Sequence, residues 1–250
     1  MIWACLFVFV YLAFKGELGK VRLALADGRT CLRLTVSAVL ITLNWFVYVW
    51  AVSNGHVVES SLGYFINPLV SVLLGVFVLK ESLNRAQWTA VGLAALGVLW
   101  LTLQVGRLPW IAIALALTFG TYGLIRKQVA VESVPGLAVE TLLITPLALL
   151  YMAWTLHAGT FAFGTLGLQV DVLLILGGAF TAIPLALFAF GVRAVPLSTI
   201  GILQYVGPTL QLLTGVFLFH EPFTQTQLIG FGLIWAALLV YAAEGLWRQQ

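Results

Sequence analysis

Charged residues are scarce in this sequence of 250 residues. Only 8% of them are Asp, Glu, Lys or Arg, whereas a soluble domain carries about 25%. So few charges cannot cover a water-facing surface. Hydrophobic residues make up 62% of the chain, and its mean hydropathy is +1.06. The composition therefore predicts an integral membrane protein, and 24 glycines and 9 tryptophans suit membrane helices and their interfaces.

Residues that carry catalytic or metal chemistry are also few. The two cysteines, Cys5 and Cys31, lie in an apolar run and in a basic segment, and their placement indicates neither a disulfide nor a metal site. No zincin, P-loop or serine-hydrolase motif occurs, and the pair His220 and Glu221 lacks the second histidine that a zincin needs. We therefore expect no catalytic residue, metal or cofactor, and no nucleic-acid partner.

Apolar runs account for most of the chain. A helix needs roughly 20 apolar residues to cross the hydrocarbon core, and brief polar breaks divide the sequence into nine such runs, of which the first is short. We predict an all-α helical bundle of nine spans in which neighbours along the chain are antiparallel. The predicted spans are 1–14, 34–52, 57–79, 87–103, 108–125, 136–154, 172–192, 197–219 and 228–246.

The 12 Lys and Arg residues predict the orientation of the bundle. If segment 15–33 is cytoplasmic, successive crossings place all of them except Arg107 on the cytoplasmic side. Cytoplasmic loops carry the excess of Lys and Arg in membrane proteins. The chain is therefore predicted to be a multi-pass protein of the cell membrane with a cytoplasmic C-terminus, next to Arg248.

A displacement of 140 positions aligns the chain with itself without a gap. An odd number of spans in each copy forces the copies into opposite orientations, and such inverted repeats are typical of secondary transporters. We predict two inverted five-helix repeats, residues 1–106 and 107–250. Segment 108–140 has no counterpart in the first repeat, so the first helix of that repeat is expected to be missing, which leaves it four spans. Residues that recur in this register include Pro68 and Pro208, Glu81 and Glu221, and Gln87 and Gln227.

A resemblance to a known family rests on two segments. Residues 44–81 read NWFVYVWAVSNGHVVESSLGYFINPLVSVLLGVFVLKE, and residues 204–209 read QYVGPT. These segments, SLGYFINP above all, resemble the RarD-like proteins of the EamA group in the drug/metabolite transporter superfamily, and the similarity covers essentially the whole chain. The resemblance implies ten helices, two inverted five-helix repeats and a central substrate cavity. The WG-containing first helix of the family and its polar HR pair have no counterpart here.

Uncharged polar side chains inside the spans are candidates for a substrate path, because a polar group in hydrocarbon needs a partner or a wet cavity. Tyr64 and Asn67 share one face of the third predicted span. The 140-residue register aligns Tyr64 with Gln204, and each of these precedes a proline by four residues. The alternative is that such groups only form hydrogen bonds between helices. The residues predicted to line one central cavity and bind substrate are Asn44, Tyr48, Tyr64, Asn67, Tyr122, Gln204 and Tyr205.

The charge of the solute and the coupling ion are suggested by acids and bases within the spans. No arginine is expected there to pair with an anion, so a neutral or zwitterionic solute is predicted. Glu59 and Glu140, the acids nearest to span interiors, are candidates for proton coupling. The alternative is that each lies at a helix N-terminus, where the helix dipole favours negative charge. Glu81 and Glu221, in matched turns at helix ends, are expected to be structural.

These features predict a secondary transporter that moves a small organic solute or metabolite across the cytoplasmic membrane by alternating access. Its expected partners are that solute and the lipid bilayer, with a homodimer as a further option. The alternative is a membrane-embedded protein without transport activity, either an enzyme or an assembly factor. Missing catalytic motifs and the inverted repeat favour transport.

Overall fold

The computed structural model describes residues 1–104, 108–218, 220 and 224–247, and these residues form α-helices and no β-strand. A helix satisfies its own backbone hydrogen bonds, which makes it one of the few structures that can cross hydrocarbon. The prediction of an all-α protein is confirmed for this part of the chain. The helices are α1 (Ile2–Lys15), α2 (Leu18–Ala26), α3 (Gly28–Ser53), α4 (Val57–Phe77), α5 (Arg85–Leu103), α6 (Trp110–Gln128), α7 (Ser133–His157), α8 (Leu168–Ala194), α9 (Leu197–Leu203), α10 (Val206–Leu218) and α11 (Gln225–Trp247).

Seven spans in the described residues are long and apolar enough to cross a bilayer: α3, α4, α5, α7, α8, α9 with α10, and α11. The helices α1 and α2 pass only as a pair, bent by 114°. Helix α6 is 19 residues long but is not among the seven, and it carries Arg126 and Lys127 in its last turn. The chain is therefore a multi-pass membrane protein, but the predicted count of nine spans is not confirmed.

Two segments differ from the predicted spans for local reasons. The predicted loop 15–33 contains α2 and the start of α3, whose first turn is capped by Asp27, because its carboxylate accepts a hydrogen bond from the Thr30 N–H at 3.2 Å. The predicted span 197–219 is interrupted between α9 and α10, at Gln204 and Tyr205. The other predicted spans match helices to within a few residues.

The described helices divide into two units by their contacts, and the first unit contains Met1–Thr42 and Ile125–Ala194. In this unit, α1 packs against α7 and α8, and α2 packs against α7. Gly178 allows α8 to approach α1 closely, since an added Cβ would lie 2.4 Å from the Cβ of Trp3. The core around this contact includes Val8, Leu12 and Leu137.

The second unit contains Leu43–Leu124 and Val195–Gln250, and in it α5 packs along α11 and α4 along α9. Small residues allow the first of these contacts. A Cβ on Gly97 would lie 2.7 Å from the carbonyl oxygen of Gly230, and Ala90 and Ala237 are fully buried in the same core. Close approach through small residues is the usual mode of helix packing in membranes.

The contacts along these two helix pairs give their relative directions. On α5, the Gln87 side chain donates to Glu244 at 3.2 Å, while Trp100 Nε1 donates to the carbonyl of Thr226 at 3.1 Å. Rising residue numbers on α5 thus meet falling numbers on α11, so the two helices are antiparallel. On α4, Asn67 contacts Gln204, and a Cβ on Gly75 would lie 3.0 Å from the Ser198 nitrogen, so α4 and α9 are also antiparallel.

Three pairs of helices begin 140 residues apart: α3 and α8, α4 and α9, and α5 and α11. The hydrogen bonds that cap the first turns of α5 and α11 agree as well. Asn84 and Gln87 form a capping box at the start of α5, and at the start of α11 the Thr224 and Gln227 side chains exchange the equivalent hydrogen bonds with the backbone. Each unit contains helices from both predicted repeats, and the predicted repeat boundary at residue 106 stays a prediction.

The outward faces of the helices are apolar. On α8, Leu173, Phe180 and Leu187 follow one another at intervals of seven residues, and each side chain is at least 65% exposed. Residues seven apart lie on the same helix face. An exposed apolar face of this kind suits the hydrocarbon core of a bilayer, as expected of a multi-pass membrane protein.

Candidate functional site

Two predicted site residues form a direct hydrogen bond in the second unit. Asn67 Nδ2 donates to Gln204 Oε1 at 2.8 Å. Asn67 lies in the middle of α4 and is 9% exposed, whereas Gln204 lies at the break between α9 and α10 and is partly buried. We call this contact the amide pair. It joins the two helices that are equivalent in the 140-residue register.

Proline and glycine shape the backbone around the amide pair. Pro68 has no N–H, so the carbonyl of Tyr64 lacks the donor that a regular helix would supply. Gly201 lies against this turn, since an added Cβ would be 2.7 Å from the carbonyl oxygen of Pro68. In the facing segment, Pro208 leaves the carbonyl of Gln204 to accept instead from the Gly207 N–H at 3.2 Å. Both backbones are thus irregular at the same level of the helix pair.

Several buried polar atoms at this level have no hydrogen-bond partner among the described residues. They are Asn67 Oδ1, Ser71 Oγ, Gln204 Nε2 and Tyr205 OH. Ser71 follows Asn67 by one turn of α4, and Tyr205 follows Gln204 in the chain. Buried polar groups in proteins are nearly always paired with protein or water. This part of the second unit therefore has spare hydrogen-bonding capacity.

A second polar contact joins α3 to α6. Asn44 Nδ2 donates to the Leu115 carbonyl at 2.8 Å and to Thr118 Oγ1 at 2.9 Å. Tyr122, one turn further along α6, is fully buried, and its ring lies 5.8 Å from that of Phe119. The Asn44 side chain thus forms hydrogen bonds between helices, and its role in binding substrate stays a prediction.

The predicted aromatic residues occupy two different environments. The rings of Tyr48 and Tyr64 meet edge to face at 6.1 Å, and Tyr64 is 45% exposed. Tyr205 is fully buried in the core beside Val72, on the α5 and α11 side of the unit. All seven predicted substrate residues lie in the second unit. Five of them form the amide pair, the Asn44 contact with α6 and the pair of Tyr48 with Tyr64, and the other two are the buried Tyr122 and Tyr205. That they line one cavity stays a prediction.

Comparison with known proteins identifies the family. Residues 1–103 match the EamA-like transporter family. The uncharacterized transporter YojE of Bacillus subtilis is 46% identical over 256 residues, which cover 100% of this chain and 84% of YojE. Protein RarD of Streptomyces exfoliatus is 43% identical over 246 residues, which cover 98% of this chain and 78% of RarD. The chain belongs to the EamA-like transporter family.

Membership of the EamA-like family confirms the resemblance to RarD-like proteins and makes the chain a membrane transporter. Membership of a transporter family favours the prediction that the chain is not an enzyme. A protein chain of known crystal structure shares the fold, with a TM-score of 0.59 at 18% sequence identity over 95% of this chain and 97% of that chain.

The predicted proton-coupling residues of this EamA-family chain lie in different units. Glu59 is the third residue of α4 and is 3% exposed, so it does lie at a helix N-terminus. Glu140 does not, because α7 begins at Ser133 and Glu140 lies two turns inside it. The alternative role of Glu140 at a helix N-terminus is therefore wrong. Its carboxylate accepts a hydrogen bond from Ser37 at 2.6 Å.

Arg126 corrects the expectation that no arginine lies within the bundle. Its side chain is fully buried, and Nη1 lies 3.6 Å from Glu140 Oε1. Nη2 donates to the Ser133 carbonyl at 2.8 Å. The sequence placed Arg126 in a loop, but a long side chain at the end of α6 reaches back into the first unit. A buried carboxylate beside it compensates the charge.

Glu81 has a structural role, as expected from its position at a helix end. Its carboxylate accepts hydrogen bonds from the Leu197 N–H at 2.7 Å, the Ser198 N–H at 2.9 Å and the Ser198 hydroxyl at 2.7 Å. These bonds satisfy backbone donors at the start of α9. Its predicted counterpart Glu221 lies outside the described residues, as do Arg107 and Arg248.

Proposed function

We propose that the chain is a secondary transporter that moves a small neutral or zwitterionic organic solute by alternating access. The observation that carries this proposal is the antiparallel packing of helices that are equivalent in the 140-residue register, α4 with α9 and α5 with α11. Inverted repeats of this kind form the substrate sites of many secondary transporters at the repeat interface. The amide pair joins α4 to the end of α9, so we propose that it lies at the repeat interface.

The chemistry of the second unit supports a solute without net charge. The seven proposed binding residues are amides and phenols. The buried arginine of the first unit already faces Glu140 at 3.6 Å, which leaves it poorly placed to bind an anion. A strongly charged solute would lose its hydration without gaining a counter-charge, and this loss is costly in a low dielectric.

The irregular backbones beside the amide pair support a conformational change at this level. The donor missing at Pro68 and the break between α9 and α10 are defects that a membrane protein tolerates where a cavity or neighbouring groups satisfy the backbone. We propose that the amide pair, the Asn44 contact, the tyrosine pair, Tyr122 and Tyr205 line the path of the solute. Bending at these two points opens the path alternately to each side.

Proton coupling through Glu59 or Glu140 is part of this proposal. Both carboxylates are nearly fully buried, at 3% and 2% exposure. Neutral substitutions separate the two candidates, because a transporter that has lost its proton carrier still exchanges solute but no longer accumulates it. We expect Glu59→Gln or Glu140→Gln, but not both, to abolish accumulation driven by a pH gradient while exchange continues.

Purified protein in liposomes tests the proposal. A panel of labelled neutral and zwitterionic metabolites would be offered to proteoliposomes and to protein-free liposomes, with and without a pH gradient. Saturable uptake of at least one solute, stimulated by the same solute inside, is the expected result. No flux for any solute, in either direction, would favour an enzyme or an assembly factor instead. A homodimer, also proposed, would be tested by the mass of the purified protein in detergent.

A further inference from the structure

The amide pair leaves one amide nitrogen and one amide oxygen without any hydrogen-bond partner among the described residues. Each of the two side chains has an NH₂ group and a carbonyl oxygen, and their mutual bond uses one of each. Asn67 Oδ1 and Gln204 Nε2 have no partner among the described residues. Rotating both amides by half a turn exchanges the two ends, so one unused donor and one unused acceptor remain whichever orientation is correct.

Only some chemical groups satisfy a neighbouring donor and acceptor together. A carboxamide or peptide amide accepts through its oxygen and donates through its nitrogen. A carboxylate only accepts and an ammonium only donates. Either ion would leave one buried amide atom of the pair unpaired, in addition to losing its own hydration. The polarity of the two unpaired atoms therefore matches that of an amide group.

Neighbouring groups add to this match. Pro68 leaves the carbonyl of Tyr64, one turn from Asn67, without its helical donor, so it can accept the second N–H of a primary carboxamide. The hydroxyl of Ser71, one turn of α4 from Asn67, and that of Tyr205, next to Gln204 in the chain, are also without partners in the part of the chain that the structure describes. Gln204 itself is only partly buried, so the pair lies at the edge of the core.

We infer that Asn67 and Gln204 form a recognition site for an amide group, and that the solute of this transporter is a small neutral molecule that carries a carboxamide. The inference rests on the proposed transport function and specifies its solute class. A carboxylate analogue of the same solute binds roughly 5- to 100-fold more weakly, because it leaves a buried polar group unpaired.

Nicotinamide and nicotinate test the inference, because they share one ring and differ only in carrying a carboxamide or a carboxylate. The full chain would be purified in detergent and its thermal unfolding followed with about 20 mM of either compound. We expect nicotinamide to raise the unfolding midpoint by about 2–4 °C and nicotinate to leave it unchanged. Equal shifts, or no shift with nicotinamide, would overturn the inference.

A double variant separates recognition from structure. Asn67→Leu with Gln204→Met removes both amides at similar volume, so neither partner is left unpaired and the protein is expected to fold. This variant should lose the response to nicotinamide, while the loop variant Asn54→Leu should keep it. A double variant that folds and keeps the response contradicts the inference.

Flux in proteoliposomes distinguishes this inference from the proposed function. Flux of some solute without a response to nicotinamide overturns the amide site and leaves the transport proposal standing. A response to nicotinamide without flux of any solute supports the amide site and overturns transport.

Discussion

Single residues decide how the charged groups of the first unit are packed. Gly136 lies against Arg126, and an added Cβ would be 2.1 Å from its Nη1. The guanidinium is fully buried, donates to the Ser133 carbonyl and faces Glu140, so a shift away from Gly136 would disturb both contacts. We expect Gly136→Ala to lower the free energy of unfolding by about 1–3 kcal/mol, as overpacking does in other cores.

Gly177→Ala is the matched control for this variant. Gly177 lies within α8, and a Cβ there would meet nothing within 4 Å. Alanine is favoured over glycine inside a helix, so this variant should be as stable as the parent or slightly more stable. Thermal unfolding in detergent measures the stability of both variants. Equal unfolding midpoints would show that the burial of Arg126 does not require glycine at position 136.

Two glutamates allow a second comparison at the scale of the residue. Glu81 accepts three hydrogen bonds from Leu197 and Ser198, whereas Glu132 forms an ion pair with Lys20 and its side chain is 59% exposed. Glu81→Ala leaves backbone donors unpaired, so it should cost about 1–3 kcal/mol of stability. Glu132→Ala should cost at most about 1 kcal/mol, because exposed ion pairs contribute little. A larger loss for Glu132→Ala in chemical or thermal unfolding would refute this assignment.

Sequence patterns predicted the positions of some site residues but not the contacts of others. Asn67 and Gln204 stood out because polar groups are rare inside apolar runs, and the structure brings them within hydrogen-bond distance. The pairing of Arg126 with Glu140 was not predicted, because the pattern locates a Cα atom along a helix and not the tip of a long side chain. Contacts such as that of Glu81 with α9 join residues more than 100 positions apart and leave no local signal.

At the scale of helices, local signals were sufficient where they lie next to the apolar runs. The capping boxes at Asn84 and Thr224 mark the first residues of α5 and α11, which lie within three residues of the predicted span starts. The break between α9 and α10 was not predicted, because Leu197–Leu218 is apolar enough to read as one span. Helix α6 is not among the seven apolar spans because Arg126 and Lys127 in its last turn lower the mean hydropathy of an otherwise apolar helix.

The antiparallel pairing of α5 with α11 predicts which cysteine pairs can be cross-linked. Cys5 and Cys31 would first be replaced by Ser. Gln87→Cys with Glu244→Cys places two thiols at the contact between the helices, so a short bifunctional maleimide should join them in membranes. This reaction tests the inverted repeat at the level of its elements.

The control for this cross-link uses the opposite end of the same pair. Thr226 contacts Trp100, and 13 residues of helix separate Gln87 from Trp100, which is roughly 20 Å. Gln87→Cys with Thr226→Cys should therefore remain uncross-linked. Parallel helices would reverse the two results.

At the scale of the whole molecule, the placement of basic residues predicts the orientation in the membrane. Several of them surround one connection, between α6 and α7: Lys20 binds Glu132 at 2.9 Å, and Arg193 donates to the Val131 carbonyl. We expect this end of the first unit to be cytoplasmic, because Lys and Arg accumulate on that side.

Cysteine labelling in intact cells tests this orientation. A Cβ at Gly28 meets nothing within 4 Å, so Gly28→Cys should be tolerated. An impermeant thiol reagent should leave it unlabelled and should label Thr165→Cys, in the exposed segment between α7 and α8. Labelling of Gly28→Cys alone would mean that the orientation is inverted.

Solute exchange in proteoliposomes tests most directly whether the amide pair binds the solute of a transporter. Vesicles holding the parent chain, the Asn67→Leu/Gln204→Met variant or the loop variant Ser82→Ala would be loaded with an unlabelled solute, and entry of the labelled solute would be followed. We predict rapid exchange for the parent and for Ser82→Ala, and at least roughly tenfold slower exchange for the double variant at equal folded amount, since about 1.4 kcal/mol of lost binding is a factor of ten. Exchange at the parent rate in the double variant would contradict the claim.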